Sequence, residues 1–228
     1  MFNFDIKKTE IFWIAKLERS FLFKFAGLFE KLFFYLFITS LISVTFVFLD
    51  LLSEILVAKA LSVSLAAWLL FWEFSLFLEL KIKKLSLKIN IADAILSPEN
   101  YNLAEFLSLD AVKIVENSIK FCKKRKIPKV SSTALLYSGL RASKEIKLII
   151  YRLGLDVIRL QEDFKNYLEK VERQKVSVES FSDDFQKVIK EALNISKERT
   201  HQRIGEKEIL VALARHDDFF KKVLLNSD

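Results

Sequence analysis

The chain has 228 residues, enough for one large domain or two small ones, and is 52% hydrophobic yet 29% charged, so oily and charged residues occupy different segments and a uniformly soluble globule is excluded. Four glycines and two prolines exclude collagen-like, low-complexity and turn-rich all-β chains, while a single cysteine, Cys122, excludes an intrachain disulfide and argues against a Cys-based zinc site. The net charge of +7 is thinly spread, with no stripe of Arg interleaved with aromatics, so nucleic acid is not expected as a partner.

Residues 1–31 hold Phe12, Trp13, Ile14, Leu17, Phe21, Leu22, Phe25, Leu28 and Phe29 at helical spacing, with Lys16, Arg19, Lys24 and Lys31 between them. The favoured reading is an amphipathic helix lying in a membrane interface, with Trp13 at headgroup level. The alternative is a helix packed on a partner or on the soluble domain.

Residues 32–80 read as a transmembrane hairpin. Leu32–Leu49 carries no charge, and at about 1.5 Å per residue its length approaches the hydrocarbon thickness of a bilayer. A second apolar run covers about 55–78 and contains Lys59 and Glu73. Lys59 is expected to snorkel to the near interface, and Glu73 to reach the headgroups or face the first span. A lone acid near a span end fits an interfacial side chain better than an ion path. The short connector Asp50–Glu54 forces the two helices antiparallel. Lysines and arginines flank the hairpin, and the connector's only charges are acidic, so both termini are expected in the cytoplasm. A cleaved signal peptide does not fit, because the first apolar run starts only at Leu32 and a second follows.

Residues 81–106 read as a linker with a short helical piece. From Leu107 the sequence matches itself at the fixed offset that carries Ser108 onto Ser182: Ile114, Val115, Ile119 and Ile146 pair with Val188, Ile189, Leu193 and Phe220, among others. This is a tandem repeat. Ser108 and Ser182 are N-cap candidates, with Asp110, Asp183 and Asp184 in the first turn. Second helices are expected over about 132–142 and 206–215, and third helices over about 144–153 and 217–226. Repeat one (107–170) adds Gly154 as a C-terminal cap and a fourth helix over about 156–170. Residues 171–181 are the inter-repeat linker, and repeat two covers 182–228. It stops before a counterpart of that fourth helix, so the chain is expected to be incomplete there. The fold class is all-α: an interfacial helix, a hairpin, then a pseudo-twofold helical repeat.

The stretch Thr200-His201-Gln202-Arg203-Ile204-Gly205-Glu206-Lys207-Glu208-Ile209-Leu210 resembles the G-H-x-x-I-G-T-E-H-[IL]-L signature of the Clp amino-terminal domain. That double four-helix repeat heads ClpA- and ClpC-type AAA+ unfoldases. Residues 127–136 carry a worn copy. The resemblance covers about residues 107–228 and implies docking of unfolded protein substrates or adaptor proteins, with Clp ATPase and protease modules as further partners. In some ClpC-type domains the Glu of each T-E-H motif receives arginine-phosphorylated substrates. Thr133 and Lys207 hold those positions here, and Lys207 would repel a guanidinium, which argues against that route. Ser132, Thr133, Glu206 and Lys207 are the partner-binding candidates; Trp13, Lys59 and Glu73 are the membrane-interface candidates.

No phosphate-cradling loop fits glycines at 27, 139, 154 and 205 only. His201, His216, Cys122, Asp183-Asp184 and Asp217-Asp218 read as structural residues, so no catalytic residue, metal or cofactor is expected and the chain is read as no enzyme. The leading function is a membrane-anchored docking domain of a Clp-type unfoldase. A stand-alone membrane adaptor and a membrane-shaping hairpin protein are the alternatives.

Overall fold

The computed structural model describes residues 2–83, 90–171 and 180–225, and falls into two compact units: residues 13–86, and residues 1–12 together with 87–228. Helix α1 (Glu10–Glu18) begins in the second of these and ends in the first.

In the unit of residues 13–86, the Ser20 hydroxyl accepts from the Phe23 N–H and starts α2 (Phe21–Val47). This helix runs unbroken across residue 31. Gly27 is the one weak helix former there, and a glycine costs only about 1 kcal/mol against alanine. The single amphipathic helix expected over 1–31 is thus replaced by three pieces: a 3₁₀ turn at Ile6–Lys8, α1, and the first turns of α2. Asp50 ends the hairpin's first arm at φ +54, where the Leu51 N–H returns to the Phe46 carbonyl at 3.0 Å. Helix α3 (Glu54–Lys83) runs back along α2. Phe29 and Phe33 stack on Phe71 with ring centroids 5.3 and 5.5 Å apart, and Phe34 and Phe37 meet Trp68 at 5.4 and 5.9 Å. Later residues of α2 meet earlier residues of α3, so the pair is antiparallel. By length and composition, Phe25–Val47 and Glu54–Phe77 are each sufficient to cross a membrane, and almost none of either is buried. The hydroxyls of Thr39, Ser40, Ser43, Thr45, Ser62 and Ser64 donate to carbonyls three or four residues back, so these polar groups are satisfied within the helices.

In the other unit the short α4 (Ile91–Leu96) is followed by the repeat: α5 (Leu109–Arg125), α6 (Ser132–Ala142), α7 (Lys144–Arg152) and α8 (Val157–Glu169), then α9 (Asp183–Glu198), α10 (Glu206–His216) and α11 (Asp218–Leu225). Local chemistry sets the helix ends. Ser108, Ser131, Ser143 and Asp156 each accept a backbone N–H of the first turn of the helix they precede. Ser182 occupies the cap position of α9, but its hydroxyl donates to the Val130 carbonyl instead. Lys126 and Thr200, mates under the repeat offset, both turn into the left-handed region, at φ +57 and +58, and stop α5 and α9 at equivalent places. Gly154 does the same after α7 at φ +78.

The two repeats exchange short extended segments. Strand β1 (Lys129–Val130) precedes α6 and pairs in parallel with β2 (Ser180–Phe181), which precedes α9. The repeat mates of Val130 and Phe181 are Ile204 and Leu107, and they form a parallel bridge of their own. The Ser108 N–H donates to the Ile204 carbonyl at 2.8 Å and the Ser182 N–H to that of Val130 at 3.1 Å. The segment entering the first helix of each repeat is therefore fastened to the segment entering the second helix of the other. Leu135, Leu136, Leu140, Ile146, Phe164, Phe185 and Phe220 fill the core, each at most 1% exposed.

Two stretches read as peripheral belong to this core. Leu103, Ala104 and Phe106 are fully buried, and α4 buries Ile91 and Ala94, so much of the expected linker 81–106 is part of the domain. The first residues also pack here. Phe4 lies edge-on to Phe181 and Phe185, with centroids 5.1 and 5.6 Å apart. Asn102 clamps the backbone of Asp5, accepting from its N–H and donating to its carbonyl. Most of the inter-repeat linker 171–181 and the tail 226–228 lie outside the described residues.

Candidate functional site

The four motif residues cluster where the start of each second helix meets the opposite repeat. Ser143 and Asp217 are mates under the repeat offset, and each caps the third helix of its repeat by accepting a backbone N–H, from Ile146 at 3.0 Å and Phe220 at 2.7 Å. Each also reaches across. Asp217 accepts from the hydroxyls of Ser132 at 2.7 Å and Thr133 at 2.9 Å, and Ser143 donates to Glu206. These are the same contact with donor and acceptor exchanged, because Ser132 and Glu206 are mates under the repeat.

The two copies differ in charge. The single Ser132 hydroxyl proton lies between Asp217 and Asp184, and the Ser132 backbone N–H donates to Asp184 as well. Burial pushes the Asp184 carboxyl up, but hydrogen bonds from Ser132, Ser182 and backbone N–H groups outweigh it and hold the group below its ordinary value. In the other copy Glu206 faces Asp110 and Glu145. Burial first, and then the repulsion of those carboxylates, raises Glu206 above its ordinary value despite the Ser143 hydroxyl and the nearby Lys113. Lys207 points outward and pairs with Glu145 at 3.0 Å.

Ser132 and Thr133 are only 2% and 6% exposed. Their hydroxyls are engaged inside the domain, where they fasten the repeats together. Glu206 is half-buried and Lys207 exposed, and these two alone of the four present side chains at the surface. Next to them the Glu208 carboxylate is buried and accepts from the Gly205 N–H at 2.9 Å, Arg199 at 3.1 Å and, at 3.2 Å, meets His201 Nδ1. A methyl group on Gly205 would stand 2.6 Å from that carboxylate, so a larger residue there would require the Glu208 side chain to shift. Burial pushes the Cys122 thiol up to about 12, so it stays protonated and inert at neutral pH. In the other unit Trp13 is exposed beneath the Lys16 ammonium at 5.1 Å. Lys59 and Glu73 are both exposed on α3, so Glu73 is not packed against α2.

A surface that the motif reading missed lies between α5 and α6. Phe121 and Tyr137, with centroids 4.8 Å apart, floor a cleft of ≈ 360 Å³ that Lys120, Lys124 and Arg141 border. The repeat itself supplies the comparison: Arg215, the mate of Arg141, pairs with Glu191, whereas Asn117 stands at the mate of Glu191. Arg141 thus lacks the carboxylate that neutralises its counterpart. Reading the mates against each other gives this signal from the sequence alone.

The description "Clp repeat (R) N-terminal domain" matches residues 107–227, more than half of the chain. The chain belongs to the Clp repeat N-terminal domain family. Among solved structures, it is similar to the Hsp104 N-terminal domain from Candida albicans, with a TM-score of 0.47 and 17% identity over 52% of this chain and 79% of that one. It is also similar to the N-domain of ClpV from Vibrio cholerae, with a TM-score of 0.47 and 18% identity over 61% of this chain and 81% of that one. A complex of a ClpV N-domain with a VipB peptide matches with a TM-score of 0.46 and 19% identity, over 62% and 82% of the two chains. No curated protein matches the chain. In this Clp repeat domain the sequence periodicity, the exchanged segments and the paired left-handed helix stops are three expressions of one internal twofold relation.

Proposed function

We propose that the chain is a membrane-anchored docking domain for unfolded substrates or adaptor proteins of a Clp-type, ATP-driven unfoldase, and that it catalyses no reaction itself. The observation that carries docking is the Clp repeat match over residues 107–227. The α5–α6 cleft supports it, because an aromatic floor beside an unneutralised guanidinium and the Lys124 ammonium suits a segment that carries both an acidic and an apolar side chain. Anchoring is supported by two helices of membrane-crossing length whose apolar side chains stay almost wholly unburied. The acidic connector and the basic flanks favour cytoplasmic ends.

Two measurements test the halves separately. Membranes of cells expressing the full chain, washed in alkaline carbonate, should retain it; release into the supernatant would remove the anchor. The purified full chain in detergent should bind reduced, carboxymethylated lactalbumin, an unfolded acidic protein. Combining Lys124→Glu with Arg141→Glu should weaken that binding about ten-fold or more, since charge-assisted contacts contribute about 1.5–3 kcal/mol each. Undiminished binding by the double variant would place docking elsewhere on the domain.

A further inference from the structure

The turn from α7 to α8 carries an apolar tip that neither the clasp nor the cleft uses. Tyr151 is 73% exposed, Leu153 57% and Ile158 72%, and Leu148, one turn before Tyr151 on α7, is 49% exposed. Four large apolar side chains are exposed within eleven residues here, whereas the unit's other strongly exposed leucines, Leu96 and Leu225, lie singly in the chain, and such a grouping marks a contact surface. Its rim is cationic. Lys147, Arg152 and Arg159 flank the tip, and none of them pairs with a carboxylate among the described residues. Asp156, the acid in this stretch, is taken up as the cap of α8, accepting from the N–H groups of Ile158 and Arg159. Gly154, at φ +78, turns the chain between the helices and leaves Leu153 and Ile158 on either side of the bend.

We propose that this corner docks onto the anionic surface of a lipid bilayer, with Tyr151, Leu153 and Ile158 entering the headgroup boundary and Lys147, Arg152 and Arg159 meeting acidic headgroups. An apolar centre ringed by Lys and Arg is the pattern of a side-chain cluster that lies in the interface. A peptide ligand asks for a groove with polar partners for its backbone, and these residues stand out from a bend between helices. The proposal rests on the anchored reading of the chain, which brings a bilayer within reach.

The test uses the full chain carrying Leu148→Cys labelled with an environment-sensitive fluorophore. Buried Cys122, its thiol pushed to about 12, does not compete for the label at neutral pH. The chain is reconstituted into vesicles of phosphatidylcholine alone or with phosphatidylglycerol, and the vesicles are floated. In anionic vesicles the label should shift to the blue and be quenched by brominated acyl chains, and high salt should reverse both. Each basic residue near an anionic surface contributes roughly five-fold to partitioning, so Arg152→Glu with Arg159→Glu should lower the ratio of docked to undocked corner by at least about 25-fold, with unchanged circular dichroism. A label that stays aqueous on anionic vesicles with which the chain co-floats would overturn the docking and leave the anchor standing. A chain that does not co-float in neutral vesicles removes the anchor, and a blue shift restricted to anionic vesicles would then still support the corner. A shift that follows added polyglutamate and not anionic lipid assigns the corner to an acidic protein and overturns the proposal.

Discussion

Asp217 shows how much of this domain turns on one buried carboxylate. It is 2% exposed and accepts from two hydroxyls and one backbone N–H, drawn from both repeats. Asp217→Ala would leave the Thr133 hydroxyl and the Phe220 N–H without an acceptor in a place water does not reach, while the Ser132 hydroxyl would keep Asp184. The expected loss is about 3 kcal/mol, and Ser132→Ala, which removes one donor and keeps the acceptor satisfied, should cost about 1 kcal/mol. Urea titrations followed by circular dichroism check both; equal losses would mean that the clasp is not the structure's working joint. The clasp was only half legible in the sequence. Motif spacing brings positions 132, 133, 206 and 207 to notice, but spacing carries no sign of exposure. Ser132 and Thr133 look like available polar side chains until Asp184 and Asp217, 52 and 85 residues from Ser132, are placed beside them.

The helices of the repeat are the most legible elements, because their signals are local. Serine and aspartate caps, apolar periodicity and basic last turns place α5 to α11 close to where they lie. What escaped notice is tertiary. Phe4 and Ile6 alternate with polar neighbours as an extended segment does, and Leu103 and Phe106 are buried without any periodic context, so nothing short of the assembled domain shows that they join its core. The shared helix stop is a second element-scale feature with no local signature, since neither Lys126 nor Thr200 is a residue that favours a positive φ. A β-branched side chain in that conformation is strained. Thr200→Gly should therefore raise the stability of the domain, by about 1 kcal/mol after the larger entropy of the unfolded glycine is allowed for. A lower melting temperature for Thr200→Gly would show that the hydroxyl bond from Thr200 to the Arg199 carbonyl outweighs the strain.

At the scale of the molecule, the three tryptophans, Trp13, Trp68 and Trp72, all lie in the unit of residues 13–86, and the family match lies wholly in the other. The two units have separate cores, so they are expected to unfold in separate transitions. In detergent, urea should remove part of the helical circular dichroism while tryptophan emission stays unchanged, and the emission should move only at higher denaturant. Coincident curves would show that the units melt as one. Hydropathy reveals the hairpin's side of this division, because its apolar residues are contiguous while those of the repeat are spaced, but it does not show that residues 1–12 belong with the repeat.

The exchange of entry segments between repeats has a consequence for how the domain can be cut. Val130 needs Phe181, and Ile204 needs Leu107, so each half holds two strand partners for the other and none for itself. A single repeat expressed alone keeps both unsatisfied edges. The symmetry that relates the halves lets one copy answer another in the same way, so a lone repeat is expected to close its edges by pairing with its twin as a twofold dimer, rebuilding from two chains what the tandem sequence achieves in one.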